Sequence, residues 1–217
     1  TPEAMLQEAV AAAEKSDVVV AVLGEAADMT GESSSRSDIS IPESQENLLK
    51  ALVKTGKPVV LVLFNGRPLT LVWENEHLNS ILDVWFGGTE AGNAIADVLF
   101  GNYNPSGKLT MSFPVSVGQI PVYYNAKNTG RPWDGKESPK FKSDYLDIPN
   151  EPLYPFGYGL SYTSFSYNGL TTDQAQISPT HPVRIKLTVS NTGNYDGEET
   201  VQLYIRDMVA SITQPVK

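Results

Sequence analysis

The chain has 217 residues, 41% of them hydrophobic and 19% charged, an ordinary composition for a globular protein with one or two domains. Its net charge of −9 argues against binding a nucleic-acid backbone, which requires clustered Lys and Arg. The absence of Cys excludes disulfides and thiolate metal sites. With only two His residues, a His-rich metal site or a Ser-His-Asp triad is also disfavoured.

Helical and strand patterns alternate over the first 114 residues or so. Thr1, Pro2 and Glu3 form an N-cap, an N1 proline and a first-turn acid, so they predict a helix over 2–15. Continuous apolar runs predict buried strands at 17–24, 59–64 and 80–86, and a further strand at 108–114. Further helices are predicted at about 43–55, through Val72 and Trp73, and after the N-cap Thr89. Such alternation is typical of a layered α/β domain.

The pattern changes beyond residue 115. Pro, Gly, Asn and Tyr dominate up to about residue 170, with too much aromatic area for a disordered segment. We expect 115–165 to be an ordered, extended segment that wraps the α/β domain. Alternation at 183–190 and 199–206 predicts two strands that begin a β-sandwich. Because an isolated pair of strands is marginally stable, we expect the chain to be a fragment that lacks C-terminal residues.

The long polar loop from Glu25 to Ser40 is the main candidate for function. It follows a predicted parallel strand, and open α/β sheets bind their ligands at the carboxyl ends of the strands. The acids of this loop fit two readings, solvated surface acids or a proton donor on a loop of small residues. Arg36 fits a loop anchor better than a catalytic partner, because a nearby guanidinium lowers the pKa of an acid, whereas a proton donor needs a raised one.

Several motifs, in order along nearly the whole chain, resemble glycoside hydrolase family 3, and within it the bacterial periplasmic β-glucosidases. The matching segments are 22–25 (Val-Leu-Gly-Glu), 31–36, Ile41-Pro42 with Gln45, 65–68 (Asn-Gly-Arg-Pro), 85–94, 104–109, 118–124 and 154–162. No single segment decides the resemblance, but the ordered set is very specific.

The resemblance implies that residues 1–165 are the family's C-terminal α/β sandwich domain, with a mostly parallel six-stranded sheet. Residues 170–217 would begin a fibronectin type III-like β-sandwich. The family's nucleophile, an Asp, lies on an N-terminal β/α barrel domain that this chain does not include.

The resemblance also assigns roles within the loop. Glu32 matches the general acid/base, whereas Glu25 stands at a recurrent position whose role is structural. Ser33, Ser34 and Arg36 would lie near the leaving-group subsite, although many relatives carry Gly-Tyr where Ser33 and Ser34 stand. No metal or cofactor is implied.

The implied activity is retaining hydrolysis of terminal non-reducing β-D-glucosyl residues, by a periplasmic or secreted enzyme. Its substrate would be a β-glucoside or gluco-oligosaccharide, its partner the barrel domain of the same enzyme, and the chain alone would be inactive. We expect binding to neither nucleic acid nor a membrane interior. The alternative is a non-catalytic sugar-binding or scaffold domain in which Glu32 is a surface acid. An acyl hydrolase using Ser33, Ser34 or Ser35 is set aside because no histidine base accompanies them.

Overall fold

A computed structural model describes residues 1–127, 129–133, 135, 140–176, 178 and 180–217. The elements are α1 (Pro2–Glu14), β1 (Val19–Gly24), α2 (Glu43–Val53), β2 (Val59–Phe64), α3 (Val72–His77), β3 (Ser80–Asp83), α4 (Ala91–Leu99), a 3-10 turn (Val117–Gln119), β4 (Phe165–Thr172) and β5 (Ile185–Asn191). The chain divides into two compact units, one of Thr1–Ala91, Leu109–Gly157 and Tyr204–Lys217, the other of Gly92–Lys108 and Tyr158–Leu203.

The first unit is built on a parallel sheet with the strand order β1-β2-β3. The β1–β2 register runs from Val19 opposite Val59 to Gly24 opposite Phe64. The central strand β2 supplies the middle of the core, because Leu61, Val62 and Leu63 are fully buried. Strand β2 is therefore buried on both faces of the sheet, as its continuous apolar run predicts. The predicted α/β class is confirmed.

The helices begin and end close to the predicted positions. Thr1 caps α1 by accepting the backbone N–H of Ala4, as an N-cap threonine should. Helix α2 buries Leu49 and Leu52 on one face, and Glu46 and Lys50 form an ion pair beside that face. The amphipathic pattern of α2 is thus the one that the sequence shows.

Strand β1 differs from the expectation of burial on both faces. Ala21 and Gly24 are buried, but Val20 and Val22 are 47% and 60% exposed. The described residues therefore cover the face of β1 that carries Ala21 and leave the face of Val20 and Val22 exposed. The sheet has three strands in the described part of the chain, against the six that the resemblance implies.

The strand predicted at 108–114 is wrong. In this segment the structure has one antiparallel bridge, in which Phe113 and Tyr154 exchange both backbone hydrogen bonds. The next hydrogen-bonded pair of this ladder would be Val115 and Pro152, but Pro152 has no N–H and the Val115 N–H donates to Gln119 Oε1 instead. Tyr154 also donates its hydroxyl hydrogen to Asn75 Oδ1 at 2.7 Å, so part of the predicted extended segment contacts the residues of α3.

The second unit contains a two-stranded antiparallel sheet, formed by β4 and β5. The prediction of a strand at 183–190 is confirmed by β5, whereas the strand predicted at 199–206 is wrong, because that segment forms none. The partner of β5 is β4, which the sequence reading missed. Its Asn168-Gly169 pair is typical of a turn, and the register shifts there as a bulge.

Two sets of expectations stay open after this description. The domain boundaries near 165 and 170 remain predictions. Parts of the predicted wrapping segment, residues 128, 134 and 136–139, lie outside the described residues. No helix in the described ranges combines the length and the apolar character needed to cross a membrane.

The register between β1 and β2 supplies a matched test of core packing. Val62 and Val22 are paired across the sheet, but Val62 is 0% exposed and Val22 is 60% exposed. We expect Val62→Ala to lower the free energy of unfolding by about 2–3 kcal/mol, because buried methyl groups are lost and a cavity remains. Val22→Ala should lower it by less than about 1 kcal/mol. Urea unfolding measures both, and equal losses would contradict the core described here.

Candidate functional site

The candidate site lies where the three parallel strands end. Strand β1 ends at Gly24, β2 at Phe64 and β3 at Asp83, and the segments that follow them converge at one edge of the sheet. The long loop after β1 is fixed at its start by Gln45 of α2. The Gln45 side-chain amide accepts the Gly24 N–H at 2.7 Å and donates to the Gly24 carbonyl at 2.9 Å.

Glu32 lies at the exposed tip of this loop. It stands between Gly31, with φ of 119°, and Ser33, with φ of 60°. Glycine suits the first of these angles, while for serine a left-handed φ is uncommon. Within the described part of the chain the Glu32 carboxylate makes no hydrogen bond or ion pair, so it is available to a ligand.

Glu25, in contrast, is a buried acid whose carboxylate is fully engaged. Its side chain is 0% exposed. Oε1 accepts a hydrogen bond from Arg36 Nη1 at 3.0 Å and lies 3.0 Å from Arg67 Nε, and Oε2 accepts the Gly66 N–H at 3.0 Å. Buried charges require partners of this kind. Glu25 is therefore a structural centre of the site and is not accessible to a substrate.

The two arginines connect Glu25 to different parts of the loop. Arg36 Nη2 donates to the Ser40 carbonyl at 3.1 Å, near the end of the loop. Arg67 Nη2 donates to the carbonyls of Met29 and Ser34, each at 2.7 Å, on the two sides of Glu32. The loop tip is thus attached to a side chain that follows β2.

A half-buried acid, Asp83, ends β3 at the same edge. Burial raises the pKa of Asp83 from its ordinary 3.8 to about 6, against the opposing effect of the Trp85 N–H and the Asn65 side chain. Asp83 Oδ2 and Asn65 Oδ1 are buried, and neither has a hydrogen-bond partner in the described residues. Asn65 donates instead from Nδ2 to the Arg67 carbonyl at 2.9 Å, which secures the turn after β2.

Backbone strain is concentrated at this edge of the sheet. Among the described non-glycine residues, only Ser33 and Trp85 have a positive φ, of 60° and 50°. Trp85 follows β3 and packs its ring against Phe113, with the ring centroids 5.8 Å apart. Left-handed non-glycine residues gather at functional sites, so these two angles support the assignment of the site to this edge.

Comparisons with known proteins identify the family of this chain. The family model of the glycosyl hydrolase family 3 C-terminal domain matches residues 3–162. The chain belongs to glycosyl hydrolase family 3. It is 55% identical over its whole length to the periplasmic β-glucosidase of Salmonella typhimurium, and 44% identical over 97% of its length to a β-xylosidase of Formosa agariphila. It spans 28% of the length of each of these relatives.

Solved structures of the family have the same fold. The β-glucosidase of Listeria innocua in complex with gluconolactone superposes with a TM-score of 0.94 at 45% sequence identity, over 99% of this chain and 30% of that one. The β-glucosidase of Erythrobacter marinus gives a TM-score of 0.87 at 40% identity, over 98% of this chain. The resemblance drawn from the sequence motifs is therefore confirmed, and the chain corresponds to a C-terminal portion of family 3 glycoside hydrolases.

The loop residues singled out by sequence fall into two groups in the structure. Glu32 and Ser33 are exposed, whereas Ser34 and Arg36 are half-buried and bound to neighbouring residues. Arg36 pairs with Glu25 and not with Glu32, as expected of a loop anchor. Sequence reasoning included Arg67 only in the matching segment 65–68 and missed its role in the site. The available signal was its place directly after a buried parallel strand, at the edge where the loop also begins.

The arrangement of the His, Asp and Glu side chains bears on whether the protein could bind a metal ion. Over the described ranges, no group of three or more His, Asp or Glu side chains is arranged to hold a metal ion. The carboxylate of Glu25 is held by donors from the protein instead, and that of Asp83 accepts the Trp85 N–H.

The half-buried Asp83 predicts a pH dependence of stability. Because its pKa is raised in the folded state, its contribution to stability is fully present below about pH 4 and is lost as the pH rises through about 6. Asp83→Asn should not show this loss. The free energy of unfolding of the variant should therefore rise relative to that of the wild type as the pH increases from 4 to 6. Urea unfolding at several pH values measures the difference.

Asp38→Asn is the control for this measurement. Ser40 donates its Oγ–H and N–H to Asp38, and these hydrogen bonds lower the Asp38 pKa from 3.8. The Asp38 contribution is therefore present above about pH 4 and is lost as the pH falls further. Asp38→Asn should change the profile below pH 4 only. Parallel profiles for the wild type and Asp83→Asn from pH 4 to 6 would contradict the assignment.

Proposed function

We propose that this chain is the acid/base-bearing part of a retaining β-glucosidase that hydrolyses terminal non-reducing β-D-glucosyl residues. The observation that carries the proposal is the contrast between the two glutamates of the loop. Glu32 is exposed at the tip, unpaired in the described residues, whereas Glu25 is buried between two arginines. Of the two, only Glu32 is free to exchange a proton with a bound sugar.

The proposed reaction has two displacements. In the first, the barrel's Asp forms a bond to the anomeric carbon while the bond to the leaving oxygen breaks, and Glu32 donates its proton to that oxygen. In the second, Glu32 removes a proton from a water whose oxygen attacks the anomeric carbon and displaces the Asp. The two carboxyl groups should be about 5–5.5 Å apart in the assembled site.

The leaving-group subsite is proposed to lie beside the same loop tip. The exposed Ser33 hydroxyl can reach a sugar, and Ser34 adds a second hydroxyl beside it. Arg36 contributes indirectly in this proposal, because its guanidinium is held by Glu25 and Ser40. Small polar residues leave the subsite open, which fits a β-glucoside or gluco-oligosaccharide as substrate.

The sugar and the partner are proposed from the relatives. This chain is similar both to enzymes named β-glucosidases and to one named a β-xylosidase, as expected if the contacts that select the sugar lie outside it. We place those contacts, with the nucleophile, on an N-terminal β/α barrel domain of the same enzyme. The name of the Salmonella relative supports a periplasmic or secreted location. The β4–β5 pair is proposed to begin a fibronectin type III-like sandwich.

Replacing Glu32 with Ala in the whole enzyme tests the proposal. The value of kcat/KM for cellobiose, whose leaving group needs a proton, should fall about 100- to 10,000-fold. The value for dinitrophenyl glucoside should change less than about tenfold, because its leaving group departs without a proton. Azide should raise kcat for the activated substrate, since it attacks the glucosyl-enzyme without a general base.

Asp28→Ala is the matched control, because Asp28 is another exposed acid of the same loop. Its effect should be small and equal for both substrates. If Glu32→Ala lowers kcat/KM equally for both substrates, and azide has no effect, Glu32 is a surface acid. The rival reading of a scaffold or sugar-binding domain would then replace the one proposed.

A further inference from the structure

The tip of the loop is closed by a single nitrogen atom of Arg67. Nη2 donates to the carbonyls of Met29 and Ser34, at 2.7 Å each, and these residues bracket the four residues 30–33. Glu32 is one of those four. The separation between the two ends of the tip is therefore set by one guanidinium, and a change in that guanidinium moves both ends.

Arg67 is itself held in place by its neighbours. Its Nε lies 3.0 Å from Glu25 Oε1, an ion-pair contact without the alignment of a hydrogen bond, and its own carbonyl accepts Asn65 Nδ2 at 2.9 Å. Glu25 Oε2 also accepts the N–H of Gly66, the residue before Arg67. With the Glu25 side chain 0% exposed and the Arg67 side chain 22% exposed, water competes little for these contacts. The orientation of the guanidinium is therefore determined by buried groups.

A second contact holds the tip against the turn after β2. A Cβ atom built on Gly66 would lie 2.2 Å from Thr30 Oγ1, so the backbone of Gly66 and the Thr30 side chain are in close approach. A residue larger than glycine at position 66 would require the Thr30 side chain to shift. The first residue of the tip is thus fixed by packing, and both of its ends are fixed by Arg67.

We infer that Arg67, oriented by the buried carboxylate of Glu25, is a positioning residue that sets the place of the Glu32 carboxyl for proton transfer. This inference rests on the proposed function of Glu32. Arg36 provides the contrast within the molecule. It pairs with the same Oε1 of Glu25, but its other hydrogen bond goes to Ser40, beyond the tip.

Arg67→Lys in the whole enzyme is the test. Lysine keeps the positive charge, but its one nitrogen cannot bind Glu25 and both carbonyls in the arrangement of the guanidinium. We expect kcat/KM for cellobiose to fall about 10- to 100-fold more than kcat/KM for dinitrophenyl glucoside, because a displaced acid impairs only the step that needs its proton. Azide should raise kcat for the activated substrate.

Arg36→Lys is the matched control, with the same substitution and the same buried partner. Whatever activity it loses should be lost equally for the two substrates, without rescue by azide. The comparison of substrates is a ratio within one preparation, so a reduced folded fraction does not alter it. If the role of Arg67 were merely structural, Arg67→Lys would lower kcat/KM for both substrates by the same factor.

The inference is overturned if Arg67→Lys lowers kcat/KM equally for the two substrates. It is also overturned if Arg36→Lys shows the same difference between substrates as Arg67→Lys. If Arg67→Lys shows no activity at all, Glu25→Gln provides the second test. That variant keeps Arg67 but removes the charge that orients it, and the same difference between substrates is expected. Equal losses for Glu25→Gln would also overturn the inference. Glu32→Ala separates the two proposals, because the proposed function of Glu32 is wrong if that variant shows no difference between substrates.

Discussion

The site depends on one buried ion cluster, the carboxylate of Glu25 between the guanidinium groups of Arg36 and Arg67. A buried carboxylate is unfavourable unless its oxygen atoms are bound, and here both are, through the arginines and the Gly66 N–H. The same contacts join the end of β2 to a loop that has little regular structure of its own. The loop thereby acquires a defined shape from charges that the sheet positions.

The parallel arrangement of the strands explains why these groups meet. Glu25 follows β1, Asn65 to Arg67 follow β2 and Asp83 is the last residue of β3. In a parallel sheet all three carboxyl ends reach the same edge. Residues that are about 40 positions apart in the chain, such as Glu25 and Gly66, therefore form direct hydrogen bonds. Register, and not proximity in sequence, brings the site together.

The sequence predicts the elements of the first unit better than the contacts of the site. Continuous apolar runs identify β1 and β2, and the motif match identifies the loop with Glu32. The strand predicted at 108–114 is a single bridge, because at the next pair Val115 donates its N–H to Gln119 and Pro152 has none. The place of Arg67 directly after β2 pointed to this edge of the sheet, but its contacts with the loop depend on the β1–β2 register and on a turn geometry that no periodicity encodes. Strand β4 was missed because Asn168-Gly169 is typical of a turn.

Gln45 has a consequence for the free side of β1. In the ladder with β2, the N–H groups of Val19 and Glu25 point toward β2, so those of the even-numbered residues, including Gly24, point away from it. The Gln45 side-chain amide binds the outward N–H and C=O groups of Gly24, as the backbone of a neighbouring strand would. Exposed edges with apolar residues invite pairing with other chains. Gln45 therefore blocks one end of that edge against intermolecular association.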